Sequence, residues 1–193
     1  GIDRTETNAS TSQLERVIYV GGLSERYGPE LLSRAFEKIA DNCKITLDLV
    51  CRETEFQSLS VDIRKRFDSD WVNIHHISGD ELHEVYTRAD AGIIPISPTA
   101  YNDMAVSVKL FEYLSYGLPI ITTNVEEMAS FVQSFDCGLV CEANHEDLAQ
   151  GLVTISTDEE LYRHKKENAV QALKQNRWVD RAKQVTSDLM VER

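Results

Sequence analysis

No stretch of this sequence approaches the roughly 20 consecutive apolar residues needed to cross a bilayer, and Gly1-Ile2-Asp3-Arg4-Thr5-Glu6 lacks the apolar core of a secretory signal. A cytoplasmic chain is the expectation. Cysteine is scarce: Cys43, Cys51, Cys137 and Cys141 form no CxxC pair and have no histidine at metal-ligand spacing, which argues against a metal site and a disulfide framework. The histidines, at positions 75, 76, 83, 145 and 164, fall at no ligand or triad spacing and read as structural. Positive charge is in deficit, with Lys+Arg 20 against Asp+Glu 32 and a net charge of -12. That balance argues against a polyanion such as DNA as the main partner, so any phosphate site must be local. Low-complexity tracts are absent, as are internal repeats beyond a strand-helix alternation.

What remains is a chain of 193 residues with 42% hydrophobic content, enough for one substantial core and one domain over 14–193. Residues 1–13 are polar and without apolar periodicity, a linker. Arg16–Val20 is a buried-strand run that stops at Gly21-Gly22, and Pro29 then opens a helix with Leu31, Leu32, Ala35, Phe36 and Ile39 at helical spacing. The same step repeats: strand Ile45–Val50, helix Glu55–Phe67, strand Val72–His75, helix Asp80–Ala89, strand Ala91–Ile96. A loop through Asn102-Asp103 leads to a helix around Lys109, then strand Ile120–Thr122, helix Val125–Phe135 and strand Gly138–Cys141. A helix over Leu148–Ile155, opened by His145-Glu146-Asp147, precedes one capped by Asp158 and running to about Gln175, and a last one from Trp178. Phe36, Leu47, Ile94, Phe111 and Ile120 are expected core.

The fold class is therefore α/β: a Rossmann-like parallel sheet with helices on both faces. Ligands bind such sheets at the carboxyl ends of the strands, here the loops after Val20, Val50, His75 and Ile96. The run Val108-Lys109-Leu110-Phe111-Glu112-Tyr113-Leu114 stands on that rim. Lys109 and Glu112 are three residues apart and share one helix face, while Leu110, Phe111 and Leu114 face a sheet. Read as a site, the helix start seats a phosphate beside Lys109 and Glu112 takes a pair of ribose hydroxyls. Read plainly, the two are a surface ion pair.

Tyr19-Val20-Gly21-Gly22-Leu23-Ser24-Glu25-Arg26-Tyr27-Gly28, then Asp90-Ala91-Gly92-Ile93-Ile94-Pro95, then Lys109–Ile121, in that order, resemble the C-terminal half of GT-B glycosyltransferases, family GT4. The likeness covers nearly the whole chain, and Gly1-Ile2-Asp3 resembles the end of the family's interdomain linker. It implies the donor-binding half of a retaining enzyme that moves a sugar from a nucleotide diphosphate sugar to a glycan or lipid-linked acceptor, in polysaccharide or glycoconjugate synthesis. The acceptor-binding N-terminal domain would be absent from this chain, which alone is expected to be inactive. Any catalytic histidine, and any peripheral contact with the inner face of a membrane, would belong to that domain.

The resemblance places Glu112 at the ribose and Lys109 at the diphosphate. The full expected donor set is Gly21, Gly22, Arg26, Arg52, Asn102, Asp103, Lys109, Leu110 and Glu112, with no metal and no cofactor. The sequence also departs from the family pattern. Gly22 and Tyr27 stand where an arginine and a lysine usually grip the diphosphate, and Met104 stands where a glutamate usually does. Arg26 is a substitute cation or a solvated surface residue; Arg52 faces the rim and either reaches base or phosphate or is a solvated surface residue. Asn102 and Asp103 are sugar contacts or a polar turn. Trp178 and the last helix either cross to the other domain or close this one. Two rival functions follow: half of a GT-B-like sugar-nucleotide epimerase, and a degenerate scaffold domain of a glycan-assembly complex.

Overall fold

The computed structural model describes residues 13–104 and 106–176. The linker stretch 1–12 and the expected helix from Trp178 lie outside the described residues. Six strands, β1 Arg16–Val20, β2 Thr46–Val50, β3 Val72–His75, β4 Ala91–Ile94, β5 Ile120–Thr123 and β6 Gly138–Cys141, pair in parallel in the order β3-β2-β1-β4-β5-β6. Between them run helices α1 Pro29–Ile39, α2 Glu53–Ser58, α3 Val61–Phe67, α4 Asp80–Arg88, α5 Ala100–Asp103, α6 Val108–Ser115, α7 Glu126–Ser134, α8 His145–Thr157 and α9 Glu159–Gln175.

Side chains alternate across a strand, so the central strands feed two cores. Val17, Tyr19, Leu47 and Leu49 pack with α1, α3 and α8 on one face. Ile18, Val20 and Val50 pack with α4, α6, α7 and the later part of α9 on the other. Phe36 on α1 is fully buried and stacks on Trp71 with centroids 5.5 Å apart; removing such a ring costs about 3–5 kcal/mol. Of the expected core, Phe36, Leu47, Ile94 and Ile120 are buried. Phe111 is half-buried, edge-on to Phe131 at 5.6 Å.

Most expected elements are present, with three corrections. The helix expected over 55–67 is two helices, because Leu59 turns into the core with extended backbone (φ -61, ψ 153) and Ser60 caps α3 by accepting the Ile63 N–H. The stretch 100–103, expected as loop, is the short helix α5, with the Thr99 hydroxyl accepting the Asn102 N–H at 3.1 Å. Strand β4 ends at Ile94, since Pro95 has no N–H for the ladder. Asp158 caps α9 as expected, accepting the Leu161 N–H at 2.9 Å.

Two buried carboxylates tie the sheet at depth. Asp48 on β2 has its side chain fully buried, with His75 Nε2 at 2.8 Å and the Arg16 guanidinium at 3.4 Å. This gives His75 the structural role expected of it. Asp90, before β4, accepts the N–H groups of Glu15 and Arg16 at 3.1 and 2.9 Å and so fastens the start of β1 to that of β4.

Gly28 joins the 3-10 turn Glu25–Tyr27 to α1 with φ at 68, and a Cβ there would lie 1.8 Å from the Pro95 carbonyl oxygen. Left-handed strain and a clash with backbone both count against any side chain. Gly28→Ala is expected to cost about 2 kcal/mol or more, read as a lower urea midpoint at unchanged slope. An unchanged midpoint would refute this account of the turn.

Candidate functional site

In this strand order the chain reverses direction across the sheet between β1 and β4, which opens a crevice at their carboxyl ends. These two strands pair only at Val17↔Ala91 and Ile18↔Gly92. Further along, the Val20 N–H donates to the Tyr113 hydroxyl at 3.0 Å, and that hydroxyl donates to the Ile93 carbonyl at 3.4 Å. Tyr113 is 1% exposed, and its ring lies where a Cβ on Gly92 would be, at 2.3 Å. Glycine at position 92 thus admits the ring, and the ring fixes α6 over the crevice.

Glu112 and Lys109 stand on the outer side of the same helix. Lys109 Nζ donates to Glu112 Oε2 at 2.7 Å, with the two side chains 33% and 26% exposed. The Tyr86 hydroxyl on α4 donates to the same oxygen at 2.9 Å. Tyr86 stacks flat on Tyr116 at 4.5 Å and 6°, and the Tyr116 hydroxyl lies 2.9 Å from His83 Nδ1. Burial holds the Tyr86 hydroxyl far above the usual phenol range, with Tyr113 and Glu112 adding to it, so it stays a donor. Ser107 caps α6: its hydroxyl accepts the Lys109 N–H and its carbonyl the Leu110 N–H, at 3.3 and 3.1 Å.

A cleft of about 1010 Å³ opens at the carboxyl ends of β1, β2 and β3. Gly21, Gly22, Arg26 and Arg52 come together in its lining with Tyr27, Glu55, His76, Ile77 and Leu82. Asn102, Asp103, Lys109, Leu110 and Glu112 are not in that lining. The two groups are joined through α4, where Leu82 lines the cleft and Tyr86, one turn on, holds Glu112.

The glycine turn is held by its own chain. Gly21 extends the ladder to the Val50 carbonyl at 3.0 Å, the Tyr19 hydroxyl donates to the Gly22 carbonyl, and the Leu23 N–H donates to Glu55 Oε2 at 2.8 Å. A Cβ on Gly22 would sit 2.9 Å from the Tyr27 ring and 3.0 Å from the Glu55 carboxylate. Arg26 lies over the Tyr27 ring, 4.5 Å from its centroid, and donates to its hydroxyl. The Arg52 side chain is 85% exposed, 3.6 Å from Glu55.

Other expected contacts are placed differently. The Leu110 side chain is fully buried in the core, on the inner side of the amphipathic helix and away from the rim. Asn102 is 8% exposed and donates to the Ser97 carbonyl at 2.7 Å, while Asp103 accepts the Glu126 N–H at 3.5 Å and so braces the start of α7. Glu55, Tyr19 and Tyr86 escaped the sequence reading. The polar tip on an otherwise apolar position was the available sign for the two tyrosines; Glu55 carried none. Among the described residues no group of three or more His, Cys, Asp or Glu is placed to hold a metal ion, and no helix is long and apolar enough to cross a membrane.

Residues 4–172 match the family described as Glycosyl transferases group 1. The chain belongs to this family. No curated protein matches it in sequence. Among solved structures it is similar to a sucrose-phosphate synthase from Thermosynechococcus elongatus (TM-score 0.72, 20% identity, 95% of this chain, 47% of that one). It is also similar to WaaG, a glycosyltransferase involved in lipopolysaccharide biosynthesis (TM-score 0.63, 22% identity, 86% and 44%). A C-terminal domain of a group 1 family protein from Francisella tularensis matches with TM-score 0.68 and 11% identity, over 88% of this chain and 94% of that domain. The fold is thus that of one half of a GT-B glycosyltransferase, and the chain spans about half the length of the first two of these structures.

Burial pushes the Cys51 thiol up to about 12 and those of Cys137 and Cys141 to about 11, so all three are held as thiols at neutral pH. Because an unfolded thiol titrates near ~8.5, their contribution to stability is complete below that pH and is lost as pH rises toward about 11 to 12. Iodoacetamide at about pH 8 is expected to spare all three in the folded chain and to reach them in denaturant, read by intact mass. Rapid modification of Cys51 in the folded chain would contradict this burial.

Proposed function

We propose that this group 1 glycosyltransferase domain binds a nucleotide diphosphate sugar along the rim, for transfer of the sugar, with retention, to a glycan or lipid-linked acceptor. The observation that carries the reading is the Lys109–Glu112–Tyr86 node beside the crevice, on a family member's sheet rim. Both described partners of Glu112 bond Oε2, which leaves Oε1 to accept from ribose hydroxyls. Lys109 gives one of its three N–H groups to Glu112, and the others offset diphosphate charge, so the reading needs no metal and no cofactor. Arg26 and Arg52 supply further positive charge in the cleft. A second domain would add the acceptor wall and exclude water, in a cytoplasmic enzyme of polysaccharide or glycoconjugate synthesis that meets the membrane, if at all, through that domain.

One observation favours a second reading, a scaffold without donor binding: Glu55 takes the Leu23 N–H and lies beside Arg52, where the turn lacks the family's usual cations. Calorimetric titration of the chain with UDP, GDP and ADP separates the two. The donor-site reading expects one of them to bind, and expects Glu112→Ala and Lys109→Ala each to weaken it about tenfold. No heat with any nucleotide would leave the scaffold standing. The chain alone is expected to release no sugar from a nucleotide diphosphate sugar, as followed by chromatography.

A further inference from the structure

We propose that Tyr86 is a positioning residue of the donor site, whose hydroxyl turns the Glu112 carboxylate toward the ribose hydroxyl pair. The inference rests on the donor-site reading of Glu112 and extends it to a residue on another helix. An ion pair between neighbours on one half-buried helix face still leaves each long side chain several rotamers, and water still reaches both charges. Lys109 alone would leave Glu112 in that state.

Tyr86 changes this. It is 4% exposed, its ring lies flat against Tyr116, and its other side meets Tyr113 with centroids 5.9 Å apart. A ring held so has one place for its hydroxyl, and that place is 2.9 Å from Glu112 Oε2. Burial keeps the hydroxyl protonated, so toward a carboxylate it acts only as a donor. With the Tyr86 and Lys109 donors both on Oε2, the carboxylate is turned so that Oε1 is its unused acceptor among the described residues. Packing does not explain the hydroxyl: phenylalanine would fill the same space and keep the stack. What phenylalanine lacks is the bond that orients Glu112 before a ligand arrives, and preorganised acceptors bind vicinal hydroxyls better than mobile ones.

The test is a comparison of ribose with deoxyribose. The nucleoside diphosphate that binds wild type and its 2′-deoxy counterpart are titrated into the wild-type chain and Tyr86→Phe. Wild type is expected to prefer the ribonucleotide by about tenfold, the value of a hydrogen bond to a charged group. Tyr86→Phe should lose most of that preference through weaker ribonucleotide binding, with the 2′-deoxy affinity within about twofold of wild type. A preserved preference, or equal weakening of both ligands, overturns the proposal; equal weakening is what a merely structural tyrosine gives. A wild type that binds both ligands equally overturns it through Glu112. A wild type that binds no nucleotide removes the donor-site reading itself, and this inference with it. If Tyr86→Phe does not fold, Tyr116→Leu, which removes the plate behind Tyr86 and leaves its hydroxyl, must show the same loss of preference, and retention of it overturns the proposal.

Discussion

The buried hydroxyl of Tyr113 is the contact on which the rim depends. Where β1 and β4 diverge, the Val20 N–H and the Ile93 carbonyl have no strand neighbour to satisfy them, and a buried amide without a partner costs about as much as a lost hydrogen bond. The tyrosine answers both, at 3.0 and 3.4 Å, while its ring fills the space that Gly92 leaves. Its sequence neighbour Glu112 is thereby set on the outer face of α6. The rotation of that helix, and with it the direction in which Lys109 and Glu112 point, follows from a packing requirement of the sheet.

The rest of the rim is satisfied from within. A net charge of -12 makes any anion site on this chain work against the general field, and in the cleft over β1–β3 Arg52 lies beside Glu55 while Arg26 lies over the Tyr27 ring. The Glu55 carboxylate holds the glycine turn in the way a phosphate oxygen would, by accepting a backbone N–H. Gly22 has no side chain because Tyr27 and Glu55 already fill the space, so the glycine pair serves the fold whatever else approaches it.

The architecture was legible because its signals are local. Buried strands are short apolar runs, glycine and proline mark their ends, and alternation with helices points to a parallel sheet. The break at Leu59-Ser60 was hidden because a helical apolar pattern continues through it, and only the serine cap and the inward turn of Leu59 reveal two helices. At the site, Lys109 and Glu112 were legible as neighbours on one helix face. Tyr86 was not, since it reaches Glu112 from 26 residues upstream and its position reads as core. For Asn102 the sequence left a sugar contact and a polar turn both open, because an amide in a polar stretch carries no mark of burial; its partner, the Ser97 carbonyl, is a matter of tertiary placement.

The seam between the two middle strands bears on how the chain comes together. Its fastening by Asp90 joins groups 74 and 75 positions apart, across a stretch that holds β2, β3 and four helices. Closing so long a span is entropically slow, whereas each βα step on either side involves close neighbours. The order of assembly that this favours has two three-strand halves maturing separately and meeting at β1 and β4 late. The crevice and everything that faces it would then exist only after that last union, as a product of the whole sheet and not of either half.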